Sequence, residues 1–217
     1  MDTFLIYLKS PVYSSNRKPR ISYLLFLLFT FIVLSISISL IALIICKLFH
    51  IKHNEIGLTP LMTILFGVLL APIYEEVVFR SLLKFKKKNI ILFIVTVTAL
   101  IGFCVFMSKI ILVIILSVLL VTLVSLLITF SRSKIELFLS SKFKYFFYTT
   151  SITFGLIHVF NFTGNIYLIL AFSFILVGPQ IVLGFISGYI RMNYGLIYSI
   201  LFHMIVNTSI LLSLIHL

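Results

Sequence analysis

Long apolar runs alternate along the chain with short polar, mostly basic clusters. Ile21 to Cys46 is 26 residues without a charge, more than the roughly 20 that an α-helix needs to cross a bilayer. After a polar loop from Lys47 to Glu55, a second run extends from Thr59 to about Leu83. Pro60 stands at its first turn, where a missing N–H is tolerated. Pro72 lies inside this run and is expected to kink it or loosen its hydrogen bonds. Two further runs, Asn89 to Ser108 and Ile110 to Ser131, meet at a tight turn at Ser108–Lys109. The basic segment Arg132 to Lys144 reads as a piece lying on the membrane surface. Tyr145 to about Phe162 and Ile166 to Ile190 follow, the latter interrupted by Gly178, Pro179 and Gln180. Arg191, Met192 and Asn193 read as a short link before a last run from Tyr194 to about Leu214. The pattern predicts an all-α fold, a polytopic transmembrane helix bundle of about seven spans.

Composition agrees. The chain has 217 residues, 62% hydrophobic and 10% charged, and no soluble domain of this length hides so much apolar surface. Mean hydropathy is +1.28. The formal net charge of +12 excludes little by itself. Its basic residues sit between apolar runs, which points to flanks of membrane helices and away from nucleic acid. With the N-terminus in the cytoplasm, thirteen of the 17 Lys and Arg fall on the inner side. Lys47, Lys52 and Lys109 fall outside, and Arg80 lies within a span. The positive-inside rule therefore predicts a cytoplasmic N-terminus and an outer C-terminus. The first run follows a basic start as a signal peptide does, but it is too long and no A-x-A-like site follows. It reads as a retained helix. Cys46 and Cys104 both lie in apolar runs and predict no disulfide framework.

Against this background the polar residues inside the spans stand out. Asp and Glu total five, and two of them are adjacent in the second span, Glu75 and Glu76. Ionisable groups at membrane depth are costly and by default mark function. Glu76 and Arg80 are four apart on one helix and can pair. Glu75 is turned by about 100° from Glu76 and has no partner on its own helix. Glu76 therefore reads as a supporting residue and Glu75 as the chemical one, suited to act as a general base. His158 in the fifth span, with Gly155 beside it, and the pair His203 and Asn207 in the seventh complete the set. Measured from the inner helix ends, Glu75 lies about 12 Å deep, His203 about 14 Å and His158 about 20 Å. One water-accessible cavity can then hold a carboxylate, two imidazoles and an amide, the parts needed for hydrolysis. Histidine and Asn groups would stabilise an oxyanion. Alternatively Glu75, His158 and His203 would hold a divalent metal such as zinc. No HExxH is present.

These residues resemble the CPBP family of intramembrane proteases (CAAX proteases and bacteriocin-processing enzymes, also called Abi), which includes Rce1-type enzymes. The family's EExxxR motif matches Glu75-Glu76-Val77-Val78-Phe79-Arg80, its FxxxH matches Phe154 and His158, and its HxxxN matches His203 and Asn207. The resemblance covers roughly Leu58 to Ile210. It divides the chain into residues 1–57, a basic segment with the first helix and a loop, and a protease-like domain over 58–217. It implies an intramembrane endopeptidase in which Glu75, aided by His158, activates water, Glu76 with Arg80 supports, and His203 and Asn207 stabilise the oxyanion. The implied partners are the lipid bilayer and a membrane-embedded or lipidated peptide or protein substrate. CAAX-type processing and bacteriocin immunity are both known in the family, and the implied place is a cell membrane. The family is described both as metal-dependent and as glutamate-dependent, so the cofactor stays open. Two other readings of the residues also remain, a non-catalytic scaffold of the same fold and a transporter with Glu75 as an ion site.

Overall fold

The computed structural model describes residues 4–14, 17–54, 59–106 and 110–215, without the side chains at 60, 111 and 209–215. The turn expected at Ser108–Lys109 and the end of the polar loop at Glu55 lie outside the described residues. The fold is all-α. A short α1 (Phe4–Lys9) precedes α2 (Ile21–Phe49). The second predicted span is one continuous rod of changing pitch. It comprises α3 (Pro60–Met62), a π-helical stretch (Thr63–Leu70), α4 (Ala71–Arg80) and a 3₁₀ turn (Ser81–Leu83). Thr59 caps its start, its Oγ1 accepting from the Met62 N–H at 3.3 Å. Then come α5 (Lys87–Phe106), α6 (Ile110–Thr129) and α7 (Arg132–Ser141), which buries no residue, as a surface segment should. α8 (Phe143–Leu156) tightens into a 3₁₀ turn (Ile157–Asn161). The chain ends with α9 (Ile166–Ala171), α10 (Ser173–Leu176), α11 (Gly178–Asn193) and α12 (Leu196–Ile215).

Among the described residues three helices are long and apolar enough to cross a membrane: Ile21–Phe49, Lys87–Phe106 and Leu112–Thr129. The other apolar runs are helical but shorter or interrupted. The sixth is cut twice, at Phe172 and Val177, and Gly178-Pro179 opens a fresh helix with Pro in its first turn. The link expected at Arg191–Asn193 is instead the buried last turn of α11, and the chain reverses after it at Gly195, whose φ is +115°. The reason is that Arg191 finds acceptors inside the protein. Its Nε donates to Arg80 O at 3.0 Å and its Nη2 to Ser81 O at 3.3 Å. Both carbonyls lie at the end of α4, and Ser81 O also accepts the Lys84 N–H of the 3₁₀ turn at 3.4 Å. Lys84, which the sequence places in a polar cluster, is likewise buried and donates from Nζ to Met192 O at 2.9 Å.

α11 is the centre of the molecule. Every residue from 186 to 193 is buried, and α2, α8 and α12 pack around it. The approach of α8 depends on three glycines. A Cβ at Gly155 would stand 2.8 Å from Ile181 N and 2.9 Å from its Cα. One at Gly184 would strike the Ser151 carbonyl, and one at Gly188 would lie 2.7 Å from Phe147. Small residues of this kind are what lets two helices touch backbone to backbone in a membrane. At one end of the bundle β1 (Lys52–His53) pairs antiparallel with β2 (Phe162–Thr163), Lys52 opposite Thr163 and His53 opposite Phe162. Asn54 extends the tie, its N–H to Asn161 O at 2.7 Å and its Nδ2 to Phe160 O at 3.1 Å. The turn that carries His158 is thereby anchored to the loop after α2.

Candidate active site

Glu75, Glu76 and Arg80 project from α4, His158 from the 3₁₀ turn after α8, and His203 and Asn207 from α12. The fold brings the first five together. Glu75 Oε1 lies 4.0 Å from His158 Nε2, and Glu75 Oε2 lies 3.7 Å from His203 Nε2. These gaps exceed a hydrogen bond, but a water about 2.8 Å from each atom can bridge either one. The side chain of Glu75 is 30% exposed and that of His158 19%, while Glu76 and Arg80 are fully buried. The division of labour expected from the helical angle is therefore present: Glu75 faces an open space and Glu76 faces protein.

The protein around Glu76 is more than Arg80. Arg80 Nε stands 3.8 Å from Glu76 Oε2, an electrostatic pair and not a hydrogen bond. Its guanidinium lies over the Phe154 ring at 4.3 Å, a cation–π contact, and Nη2 donates to Gly184 O at 3.3 Å. Glu76 Oε1 is 3.1 Å from His203 Nδ1, and Glu76 Oε2 meets the Ser199 hydroxyl. Ser199 Oγ is also 3.0 Å from Ser187 O, so its single proton lies between two acceptors. Ser199 and Ser187 carried no signal in the sequence, since a serine in an apolar run is common. The i, i+4 relation of Ser199 to His203 was the one available hint.

These partners fix the histidine tautomers. His158 Nδ1 is 2.9 Å from Phe154 O, a carbonyl, so Nδ1 carries a proton and Nε2 is the nitrogen turned toward Glu75. His203 Nδ1 likewise donates, to the Glu76 carboxylate, and its Nε2 points at Glu75. Glu75 is thus flanked by two ring nitrogens whose orientation is set by partners behind them. Phe154 packs against both rings, edge to face, at 5.3 and 5.7 Å. Asn207 stands apart from this group. Its Nδ2 donates to Gly67 O in the π-helical stretch at 2.8 Å.

A first-row metal needs nitrogen and oxygen donors converging at about 2.0–2.2 Å. Glu75, His158 and His203 border the same space. Yet among the described residues no three His, Cys, Asp or Glu side chains are grouped as a ligand set.

No match was found among curated proteins or among solved structures. The family model for the Type II CAAX prenyl endopeptidase, Rce1-like, matches residues 56–209, well over half of the 217-residue chain, and takes in every residue of the cluster. With its apolar helices and its paired glutamates facing two histidines, this chain is a membrane protein that belongs to the Rce1-like family of Type II CAAX prenyl endopeptidases.

Proposed function

We propose that the chain is a multi-pass intramembrane endopeptidase of a cell membrane, with about seven spans and a cytoplasmic N-terminus. It hydrolyses a peptide bond in a membrane-associated or lipidated substrate. CAAX-type trimming is the form the family favours, and peptide processing of the bacteriocin-immunity kind is the other. One observation carries the reading: a part-exposed carboxylate stands between two ring nitrogens of fixed orientation, at 4.0 and 3.7 Å.

In this reading a water lies between Glu75 Oε1 and an unprotonated Nε2 of His158. It gives one hydrogen bond to each, which leaves its lone pairs directed at a substrate carbonyl. As the oxygen attacks, Glu75 takes the proton, and the carbonyl becomes a tetrahedral oxyanion. His203 stabilises that oxyanion from Nε2 when both of its nitrogens are protonated, held from behind by Glu76. The C–N bond then breaks, and the leaving nitrogen takes the proton from Glu75. Glu76, Arg80 and Ser199 hold His203 in place and do not touch the reacting atoms. The donation from Asn207 to Gly67 O supports a role other than the oxyanion contact that the resemblance implies.

The test is cleavage by the purified protein in lipid nanodiscs of a farnesylated peptide ending in a CAAX sequence. Release of the C-terminal tripeptide by wild type is expected. A loss of about 100-fold or more is expected in Glu75→Gln, the usual size of a general-base contribution. Comparative membrane peptidomics of wild type and Glu75→Gln would identify the natural substrate. Full biological activity in both Glu75→Ala and His158→Ala would refute proteolysis and support the scaffold. Ion-coupled flux in liposomes without cleavage would support the transporter. Zinc at one equivalent together with loss of cleavage on chelation would reassign Glu75 from base to ligand.

A further inference from the structure

The π-helical stretch before the glutamates leaves one carbonyl without a donor inside its own helix. In a π-helix each N–H bonds to the carbonyl five residues back. The last such bond here runs from Ala71 N–H to Phe66 O. The next would run to Gly67 O from residue 72, which is Pro72 and has no N–H. The α-helical alternative, from Ala71, is already committed to Phe66 O. Gly67 O is therefore stranded in a helix whose next turns carry the site, and a stranded carbonyl in an apolar setting is costly. Asn207 Nδ2, from the neighbouring α12, occupies that vacancy at 2.8 Å.

Asn207 lies one turn beyond His203 on α12, and Gly67 lies about two turns before Glu75 on the rod. The same two elements are joined lower down by Glu76 to His203 Nδ1 at 3.1 Å and by Ser199 to Glu76. The Asn207 bond is a second attachment at a different height. Two attachments fix both the spacing and the relative tilt of the rod and α12, where one alone leaves a pivot. The 3.7 Å separation of Glu75 Oε2 from His203 Nε2 depends on that tilt.

We propose that Asn207 is a positioning residue for the hydrolytic reaction: it supplies the donor that Pro72 withholds from Gly67 O, and so holds Glu75 in register with His203. Pro72 and Asn207 form one device. The proline keeps the π stretch from closing on itself, and the open carbonyl becomes the docking point for α12. This inference rests on the hydrolytic reading above.

The experiment is a double-mutant cycle on the full chain in nanodiscs, comparing Asn207→Ala, Pro72→Ala and the double variant. Residue 72 as alanine offers an N–H to Gly67 O, so it replaces the donor lost with Asn207. Asn207→Ala is expected to lower kcat by about 100-fold, the usual consequence of a displacement near 1 Å. It should also lower the melting temperature and shift the acid limb of the kcat/KM profile, because Glu75 and His203 move apart. The double variant is expected to recover most of the lost kcat, the original acid limb and the melting temperature. A double variant no more active than Asn207→Ala, or one that fails to fold as Asn207→Ala does, overturns the proposal. Unrecovered kcat with a recovered melting temperature also overturns it, and assigns Asn207 to the oxyanion. Failure of the underlying reading looks different. Wild type would then cleave nothing, while the melting temperatures of the cycle would still report whether Asn207 and Pro72 are coupled.

Discussion

Gly155 tests whether backbone contact between α8 and α11 sets the geometry of the site. A methyl at this position would lie 2.8 Å from the backbone nitrogen of Ile181 and 2.9 Å from its Cα. Carbon atoms pack best at roughly 3.5–4.0 Å, so the two helices must separate by about 0.6–1 Å at that level. Ile181 Cγ1 is nearer still, at 2.2 Å, and can swing away, but the two backbone atoms cannot. Overpacking of this kind costs about 1–3 kcal/mol. The larger effect falls on chemistry, because His158 follows Gly155 by three residues and its Nε2 must stay near the 4.0 Å it keeps from Glu75. A displacement approaching 1 Å lowers a rate by about 100-fold. Gly155→Ala is therefore expected to melt earlier and to lose between ten- and a hundredfold in kcat with little change in KM. Gly102→Ala on α5 is the control, since a Cβ there meets nothing within 4 Å. It should be neutral, or stabilising by up to about 1 kcal/mol from helix propensity. The measurement is cleavage kinetics with thermal unfolding of both variants in the same nanodiscs. If Gly155→Ala behaves as Gly102→Ala does, the close approach of α8 and α11 does not position His158, and the reasoning fails.

Three further outcomes are expected. Ser199→Ala removes a hydroxyl from a buried carboxylate and should lower stability by about 1–3 kcal/mol in thermal unfolding, with a smaller loss of kcat than Glu75→Gln. Unchanged stability would remove Ser199 from the support of Glu76. Arg191→Met removes two charge-assisted hydrogen bonds and should destabilise by about 1–3 kcal/mol in all, and Arg191→Lys should recover only part, having no planar fork. Equal melting of Lys and Arg forms would count against the paired contact. Burial, with Arg191 nearby, holds the Lys84 ammonium down to about 8 from its ordinary 10.5. Between these values the unfolded chain binds more protons than the folded one, so stability should rise with pH from about 8 toward 10.5. Burial pushes the Tyr13 phenol up, which opposes the rise above about pH 10, where an unfolded tyrosine ionises. A Lys84→Met protein should show no rise between 8 and 10, and an unaltered profile would refute the role of Lys84.

Relations within one helix were legible from spacing alone. Glu76 reaches toward Arg80 and Glu75 faces elsewhere because 3.6 residues make a turn, whatever surrounds the helix. The apolar content and the rarity of acids identified a membrane protein and drew attention to its two adjacent glutamates, since a charge at membrane depth demands an explanation. The depth estimates placed Glu75 and His203 together and His158 about a turn further out. The contact at 4.0 Å arises from how α8 ends and leans, which its own sequence does not specify.

Polar residues near helix ends were the weak point. Arg191 and Lys84 read as solvated, because charge usually seeks water. Here carbonyls at the ends of α4 and α11 accept from them inside the protein. Gly178 and Pro179 announced the break at Val177, but the one at Phe172 had no Gly or Pro to mark it.

By itself, then, the sequence decided the class of molecule, the different facings of the adjacent glutamates and the set of polar residues inside the spans. Those follow from composition and helical periodicity, which are local. Only the tertiary structure decided that Glu76 backs His203, that Ser199 joins them and that Asn207 answers the carbonyl stranded by Pro72. Each of these joins residues more than 100 positions apart. They depend on which faces of the helices meet and at what tilt, and those are set by the packing of the whole bundle.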